Sequence, residues 1–225
     1  MNKIRIAIDG PSASGKSSAA ERLAERLGYF RVEGGSFYRA ITHLILEKYG
    51  DEYNLENDDV KQFVEGTKIE IRNRELFSNG RSLMKYLRTS RIDENVGLVA
   101  KVKYIRTIVH KIERELVESC DCGLVMDGRD IGTVVMPDAF IKFFITASAE
   151  ERASRRTMQD KSLNYKDVLE NLKKRDYEDT HREHDPLIQA EDAILINNEH
   201  LNLEQTVQLM NNMFTDKMTS SYELP

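Results

Sequence analysis

The chain has 225 residues, 40% hydrophobic and 32% charged, an ordinary globular composition, long enough to bury one sizeable core. Its 38 acidic against 33 basic residues give a net charge of -5, which argues against wholesale binding to nucleic acid or anionic membrane, so any phosphate chemistry must use locally placed arginines. Cys120 and Cys122, its 2 cysteines, are two apart, a poor disulfide framework and too few ligands for a zinc site, no run approaches the ~20 apolar residues of a membrane span, and no signal-peptide pattern opens the chain; a cytoplasmic protein with reduced thiols is expected.

Ile4 to Ile8 reads as a strand, and after Asp9 the eight residues Gly10-Pro11-Ser12-Ala13-Ser14-Gly15-Lys16-Ser17 fit the pattern G-x-x-x-x-G-K-[ST] in full. Glycines there let the backbone curl so that successive N–H groups point inward, and the helix that follows offers its positive end to the same phosphates. Lys16 adds a charge near the β- and γ-phosphates of a nucleoside triphosphate and Ser17 a hydroxyl for Mg²⁺, with Ser18 beside them in the triphosphate-binding set. A glycine turn that merely joins strand to helix is the plain alternative; motif and context together speak against it.

Ala20, Leu23, Ala24 and Leu27 recur at helical spacing, with Gly28 where a C-terminal cap is expected. Tyr29 to Val32 reads as the next strand. Between about Tyr53 and Arg88 the pattern changes: Lys68 to Arg72 and Glu75 to Phe77 alternate, and Asn79-Gly80 is a hairpin signal, so 53–88 reads as a small inserted subdomain. Val102, Ile105, Val109, Ile112 and Leu116 step by three and four along a long helix, a stripe expected to be core. Strands follow at Leu124 to Met126, Phe140 to Ile145 and Ala193 to Ile196, separated by a charged helical stretch from Ala149 to about Arg182. Leu203, Val207, Met210 and Phe214 line a last helix, with a frayed tail beyond about Thr215. Strands alternating with helices predict a parallel sheet covered on both faces.

Four more segments occur in order: Glu33-Gly34-Gly35-Ser36-Phe37-Tyr38-Arg39, Asp127-Gly128-Arg129-Asp130-Ile131-Gly132-Thr133-Val134-Val135, Glu150-Glu151-Arg152-Ala153-Ser154-Arg155-Arg156, and Arg175-Asp176-Tyr177-Glu178-Asp179-Thr180-His181-Arg182. With the phosphate loop they span nearly the whole chain, and the sequence resembles the bacterial-type cytidylate kinases, P-loop nucleoside monophosphate kinases. The resemblance implies an α/β P-loop kinase fold: a five-stranded parallel sheet, a core of 1–52 and 89–225, a helical lid near 152–166 and a monophosphate-binding insert at 53–88. It implies transfer of the γ-phosphoryl of ATP to CMP or dCMP by a monomer that uses Mg²⁺ and binds neither nucleic acid nor membrane.

Bringing two anionic nucleotides end to end requires cations where the phosphoryl group transfers. On matching positions, the resemblance gives Arg39 and Arg129 the acceptor phosphate, with Arg175 nearby, Asp179 and Arg182 the ribose and phosphate, and Arg106 and Asp130 the base; Lys16, Arg129, Arg175 and Asp127 form the catalytic group. Asp127 reads equally as a structural cap or as a second partner to Mg²⁺. Arg152 and Arg156 either close over ATP or belong to an exposed basic helix, Arg39 could be a solvated charge, and Arg175, Asp179 and Arg182 could be a helix ion-pair ladder. His181 and His184 lack further ligands for a metal. The match departs at Gly34 and Gly97, where the family has a hydroxyl residue and a serine, and at Glu33, where it has Asp. These departures bear on base selectivity, and a broader pyrimidine monophosphate kinase that also uses UMP is the runner-up. A switch protein without turnover is disfavoured by the lack of an [NT]-K-x-D motif.

Overall fold

The computed structural model describes residues 3–72 and 75–222. The chain enters on β1 (Arg5–Asp9), runs through α1 (Lys16–Leu27) and reaches β2 (Phe30–Glu33). It continues with α2 (Gly35–Tyr49), α3 (Asp58–Glu65), an antiparallel sheet of β3 (Glu70–Arg72), β4 (Glu75–Ser78) and β5 (Arg81–Ser82), then α4 (Ser90–Val99) and α5 (Lys103–Ser119). The remainder is β6 (Leu124–Gly128), β7 (Ile141–Thr146), α6 (Ala149–Gln159), α7 (Tyr165–His181), β8 (Ile194–Asn197) and α8 (Leu203–Tyr222). Two compact units result: Met1–Val32 with Cys120–Pro225, and Glu33–Ser119.

The larger unit is built on a five-stranded parallel sheet in the order β2-β6-β1-β7-β8. Every residue of β1 is buried, as a central strand covered on both faces must be, which is why its sequence shows an apolar run and no alternation. Helices α1 and α8 pack on this sheet, and their Ala19, Ala20, Leu23, Val207, Met210 and Phe214 share one cluster with Ile6, Ile8, Val125 and Phe143. Alanines on α1 let that helix approach closely. Phe214 sets its ring edge-on to Tyr29 and Phe140, with centroids 6.1 and 6.0 Å away, an arrangement that suits the ring quadrupoles. Gly28 ends α1 in the left-handed region at φ 67°, as its position after Leu27 predicts.

All five expected strands are present, each within a residue or two of its predicted span. The expected frayed tail is not: α8 continues past Thr215 to Tyr222. Met218 packs against the core cluster, the Lys217 ammonium lies 5.5 Å from the centroid of the Phe140 ring, and the hydroxyls of Thr215, Thr219 and Ser220 donate to carbonyls four residues back. Residues 223–225 of that expectation lie outside the described residues.

In the smaller unit the β4–β5 hairpin turns at Asn79-Gly80, with φ of 49° and 76°, the left-handed pair that a tight hairpin demands. The segment 53–88 lies inside this unit together with α2, α4 and α5. The stripe on α5 is only partly the expected core. Ile105 and Val109 are fully buried and Ile112 and Leu116 half-buried, while Arg106, His110 and Glu113 on the same helix are buried as well. Hydrophobic spacing cannot reveal a buried polar stripe running beside the apolar one. Among the described residues no helix is long and apolar enough to cross a membrane.

Candidate active site

The phosphate loop leaves the C-terminal end of β1 and enters α1 directly. Gly10 has a φ of 152°, and a Cβ there would sit 2.1 Å from the Ile145 carbonyl oxygen, so glycine is required at this point. Ala13 and Gly15 also take positive φ, 58° and 84°.

Three of the loop's carbonyls are claimed by side-chain donors. Lys16 Nζ donates to Pro11 at 3.0 Å, Arg152 to Ser12 at 2.8 Å, and Asn198 Nδ2 to Ser14 at 2.9 Å. In a trans peptide the N–H points opposite to the preceding carbonyl. Arg152 and Asn198 therefore hold the amides of Ala13 and Gly15 turned away from themselves, as an anion-binding nest requires. Arg152 is only 3% exposed; it also donates to the Ala147 carbonyl at 3.0 Å and pairs with Asp176. It is thus an internal strut under the loop, whereas Arg156 is exposed on α6. Arg155 reaches Asn198 through both its carbonyl and its side-chain oxygen, at 2.6 and 3.1 Å. Asn198 lies in none of the motif segments, and Asp176, although inside the segment Arg175 to Arg182, carries no role in the sequence reading.

Lys16 is buried, and burial, assisted by the neighbouring Arg129 and Arg175 cations and opposed by Asp127 and Asp179, lowers its pKa to about 7. At the end of the next strand Asp127 accepts from the Ser17 hydroxyl at 2.6 Å and from Arg31 at 2.9 Å. Ser18 is exposed one residue further on, and the buried Ser14 hydroxyl has no hydrogen-bond partner among the described residues.

Beyond β6 the chain makes a single wide helical turn, Ile131–Val135, whose first amides are capped from β1. Asp9 accepts from Ile131 N–H at 2.9 Å and Gly132 N–H at 2.7 Å. Burial, partly offset by those two amides, pushes the Asp9 carboxyl up to about 6. The glycines of the DGRDIG segment make this possible: a Cβ on Gly132 would lie 3.3 Å from Asp9 Oδ2, and one on Gly128 would strike the Ile131 side chain at 2.7 Å.

Arg129 donates through Nε to Asp179 at 2.7 Å, and Arg182 Nη2 lies 3.9 Å from Asp130 while its Nε donates to the Asp185 carbonyl at 2.7 Å. Burial alone would raise the Asp179 carboxyl; Arg129, Arg182 and Arg175 outweigh it and hold the carboxyl below its ordinary value. The larger unit thus gathers Lys16, Asp127, Arg129, Arg175 and Asp179 around one electrostatic neighbourhood, rather than spreading the last two along a solvated ion-pair ladder. His181 stacks on Tyr177 with centroids 4.1 Å apart.

The smaller unit holds the other predicted residues. Arg39 is 11% exposed at its side chain and pairs with Asp93 at 2.7 Å while donating to the Leu87 carbonyl at 2.9 Å, so it is no solvated charge. Arg106, 2% exposed, donates to the Ala100 carbonyl at 3.0 Å and meets His110 Nε2 at 3.3 Å, and that same nitrogen is 3.4 Å from the Tyr38 hydroxyl. Gly34 caps α2 at an ordinary φ of -57°, and Gly97 on α4 has no atom within 4 Å of where a Cβ would stand.

The family model for cytidylate kinase matches residues 6–216. The chain belongs to the cytidylate kinase family. A probable cytidylate kinase of Vairimorpha ceranae is 39% identical over 214 residues, covering 95% of this chain and 98% of the relative. A cytidylate kinase of Flavobacterium psychrophilum is 39% identical over 221 residues, covering 93% and 97%. Among solved structures, shikimate kinase from Bacteroides thetaiotaomicron aligns with a TM-score of 0.50 at 9% identity, over 94% of this chain and 98% of that one, a likeness of fold alone. In this cytidylate kinase family member, the P-loop, the DGRDIG turn and Asp179 on α7 are parts of one folded unit.

The depressed Lys16 pKa has a measurable consequence. A triphosphate beside the amine favours its charged form, so binding must draw in a proton wherever the free amine is neutral. At pH 8, one unit above the free value, roughly nine-tenths of a proton should be taken up by this group, falling to about one-tenth at pH 6. Calorimetry of ATP binding in buffers of different ionisation enthalpy reads this number. Lys16→Met should remove the pH-dependent uptake, leaving only the nucleotide's own protonation.

Proposed function

We propose that this chain transfers the γ-phosphoryl group of ATP to CMP, and to dCMP, giving ADP and the corresponding diphosphate in one in-line step. The observation that supports it best is the buried Lys16 at the root of the phosphate loop, with Arg129 and Arg175 close enough to depress its pKa. Cations in a water-poor site stabilise charge that develops on the transferring phosphoryl far better than they would in water. The acceptor phosphate oxygen is already an anionic nucleophile, so no covalent enzyme intermediate is needed.

In the larger unit the segment from Gly10 to Ser18 holds the triphosphate, Lys16 follows the transferring group, and Arg152 keeps the loop in shape from beneath. Arg129 takes the acceptor phosphate, with Arg175 beside it, and exchanges its present Asp179 partner for that phosphate; Arg182, Asp179 and Asp130 serve the ribose, phosphate and base. In the smaller unit Arg39, now bound to the Asp93 carboxylate, presents the same kind of anion-binding group, and Arg106 reads the base. A guanidinium suits these positions because its planar fork gives paired, charge-assisted bonds.

The Ser17 hydroxyl and Asp127 carboxylate are hard oxygen donors 2.6 Å apart, which fits Mg²⁺. When bound, Mg²⁺ would neutralise charge on the β- and γ-phosphate oxygens. The segment 152–166, from α6 through the exposed residues 160–164 into α7, serves as the lid, and 53–88 as the acceptor-binding insert. The reading is of a cytoplasmic monomer, consistent with two free thiols and a buried core in each unit. A second reading, a pyrimidine kinase that also accepts UMP, is favoured by Gly34 and Gly97.

Replacing Arg129 by Ala should raise the KM for CMP by ~10- to ~100-fold, the loss of one charge-assisted hydrogen bond, while ATP affinity changes little. Steady-state kinetics with a parallel ATP titration checks this; collapse of ATP affinity with CMP use intact would place Arg129 on the wrong nucleotide.

Cytosine and uracil differ in donors and acceptors at ring positions 3 and 4, and a glycine in place of serine leaves room for a water that can serve either base. Gly97 has open space where a Cβ would stand, and the buried Gly34 has a φ of -57° that serine adopts without strain. Gly34→Ser and Gly97→Ser should each raise the ratio of kcat/KM for CMP over UMP by a few-fold, as one neutral hydrogen bond of ~0.5–1.5 kcal/mol implies. An unchanged ratio in both would remove these glycines from base selection.

A further inference from the structure

The connection from α5 to β6 brings the two thiols together. Cys120 Sγ and Cys122 Sγ are 3.1 Å apart, and Cys120 Sγ lies 3.7 Å from the Cys122 carbonyl oxygen. Spacing in sequence alone does not dictate this. The Arg5 guanidinium, on β1, donates to the carbonyls of Cys120 and Cys122 at 2.7 Å each. With both carbonyls held by one rigid fork, the intervening Asp121 reaches out to Lys3 at 2.8 Å and the two cysteine side chains share the same side of the loop. Cys122 is exposed and Cys120 partly so, and both can be reached from solvent.

We propose that Cys120 and Cys122 form a reversible dithiol modification site, which a small-molecule disulfide oxidises to an intramolecular disulfide. Cys122, the exposed member, attacks as thiolate one sulfur of the oxidant RS–SR. A Cys122–SR bond forms, the S–S bond of the oxidant breaks, and RS⁻ leaves and takes up a proton. Cys120 loses its proton to solvent and attacks Cys122 Sγ, releasing the second RS⁻. The protein has then lost two hydrogens and one RS–SR has become two RSH. Burial, together with the hydrogen bond to Cys122, pushes the Cys120 thiol up, which fits Cys120 as the second, resolving group. The site involves neither the phosphate loop nor the arginines above, and its assignment does not depend on their roles.

The chain has 2 cysteines, so intact mass reads the outcome directly. The purified full chain, incubated with glutathione disulfide and quenched with acid, should lose two hydrogens in mass and both titratable thiols together, remain a single chain on a non-reducing gel, and recover both thiols with dithiothreitol. Cys120→Ser, which lacks the resolving thiol, should retain one glutathione on Cys122. In urea, where the Arg5 clamp is gone, the mixed disulfide should persist in a several-fold larger share of chains. Two glutathiones per folded chain, a disulfide-linked dimer, persistence of both free thiols, or equal shares of mixed disulfide folded and unfolded would each overturn the proposal.

Discussion

An ammonium group held out of water is costly, and Lys16 is one. Its buried position at the start of α1, where the loop that follows the central strand ends, is the constraint around which the larger unit is arranged. Burial is the main reason its pKa falls to about 7; Arg129 and Arg175 add to the shift, and Asp127 and Asp179 oppose it. Asp9, the last residue of that strand, is shifted toward neutrality from the opposite side by its own burial, to about 6. Lys16 titrates lower in the folded chain than in the unfolded one, so its charging opposes folding in full below about pH 7 and ceases to do so as pH rises toward 10.5. Asp9 titrates higher when folded, so its ionisation opposes folding in full above about pH 6 and not at all below about 3.8. Between about 6 and 7 both oppositions are complete. A polyanion bound beside Lys16 offsets the larger share of that cost, which is how a site tuned for phosphoryl transfer also becomes one that nucleotide stabilises.

The loop's shape has a similar logic. Its glycines permit the curl, but permission does not specify direction, and the carbonyls must be anchored outward before the amides face inward. Arg152 from α6 and Asn198 after β8 supply those anchors. Asp176 and Arg155 in turn hold the anchors. On the other side, Asp9 caps the wide turn that follows Arg129 and Asp130. The parallel sheet brings all of these to the C-terminal ends of its strands, where open α/β folds collect ligands.

What the sequence made readable was local. Five strands were legible because β1, β6 and β7 are apolar runs bounded by turn residues, and the loop because its eight positions are contiguous. The insert announced itself through alternation and Asn79-Gly80. Long-range polar partners left no such trace: Asn198 serves Ser14 across a separation of 184 residues, and nothing in Asn197-Asn198-Glu199 marks it. Arg152 was visible as a basic residue on a helix, yet its inward direction depends on Asp176 one helix later. The Arg106, His110 and Glu113 stripe of α5 escaped because helical periodicity is read from apolar residues. The final turns of α8 escaped because Thr215, Thr219 and Ser220 look like tail residues until their hydroxyls bond back along the helix.

The function turns on which acceptor receives the phosphoryl group. The most direct measurement is the rate of ADP formation from ATP with CMP, dCMP, UMP, AMP and GMP each supplied alone at matched concentration, with the diphosphate product identified. The account expects CMP to be used with the highest kcat/KM, dCMP next, UMP measurably and the purine monophosphates negligibly. Preferential use of AMP or GMP, or no phosphoryl transfer to any of the five, would contradict it.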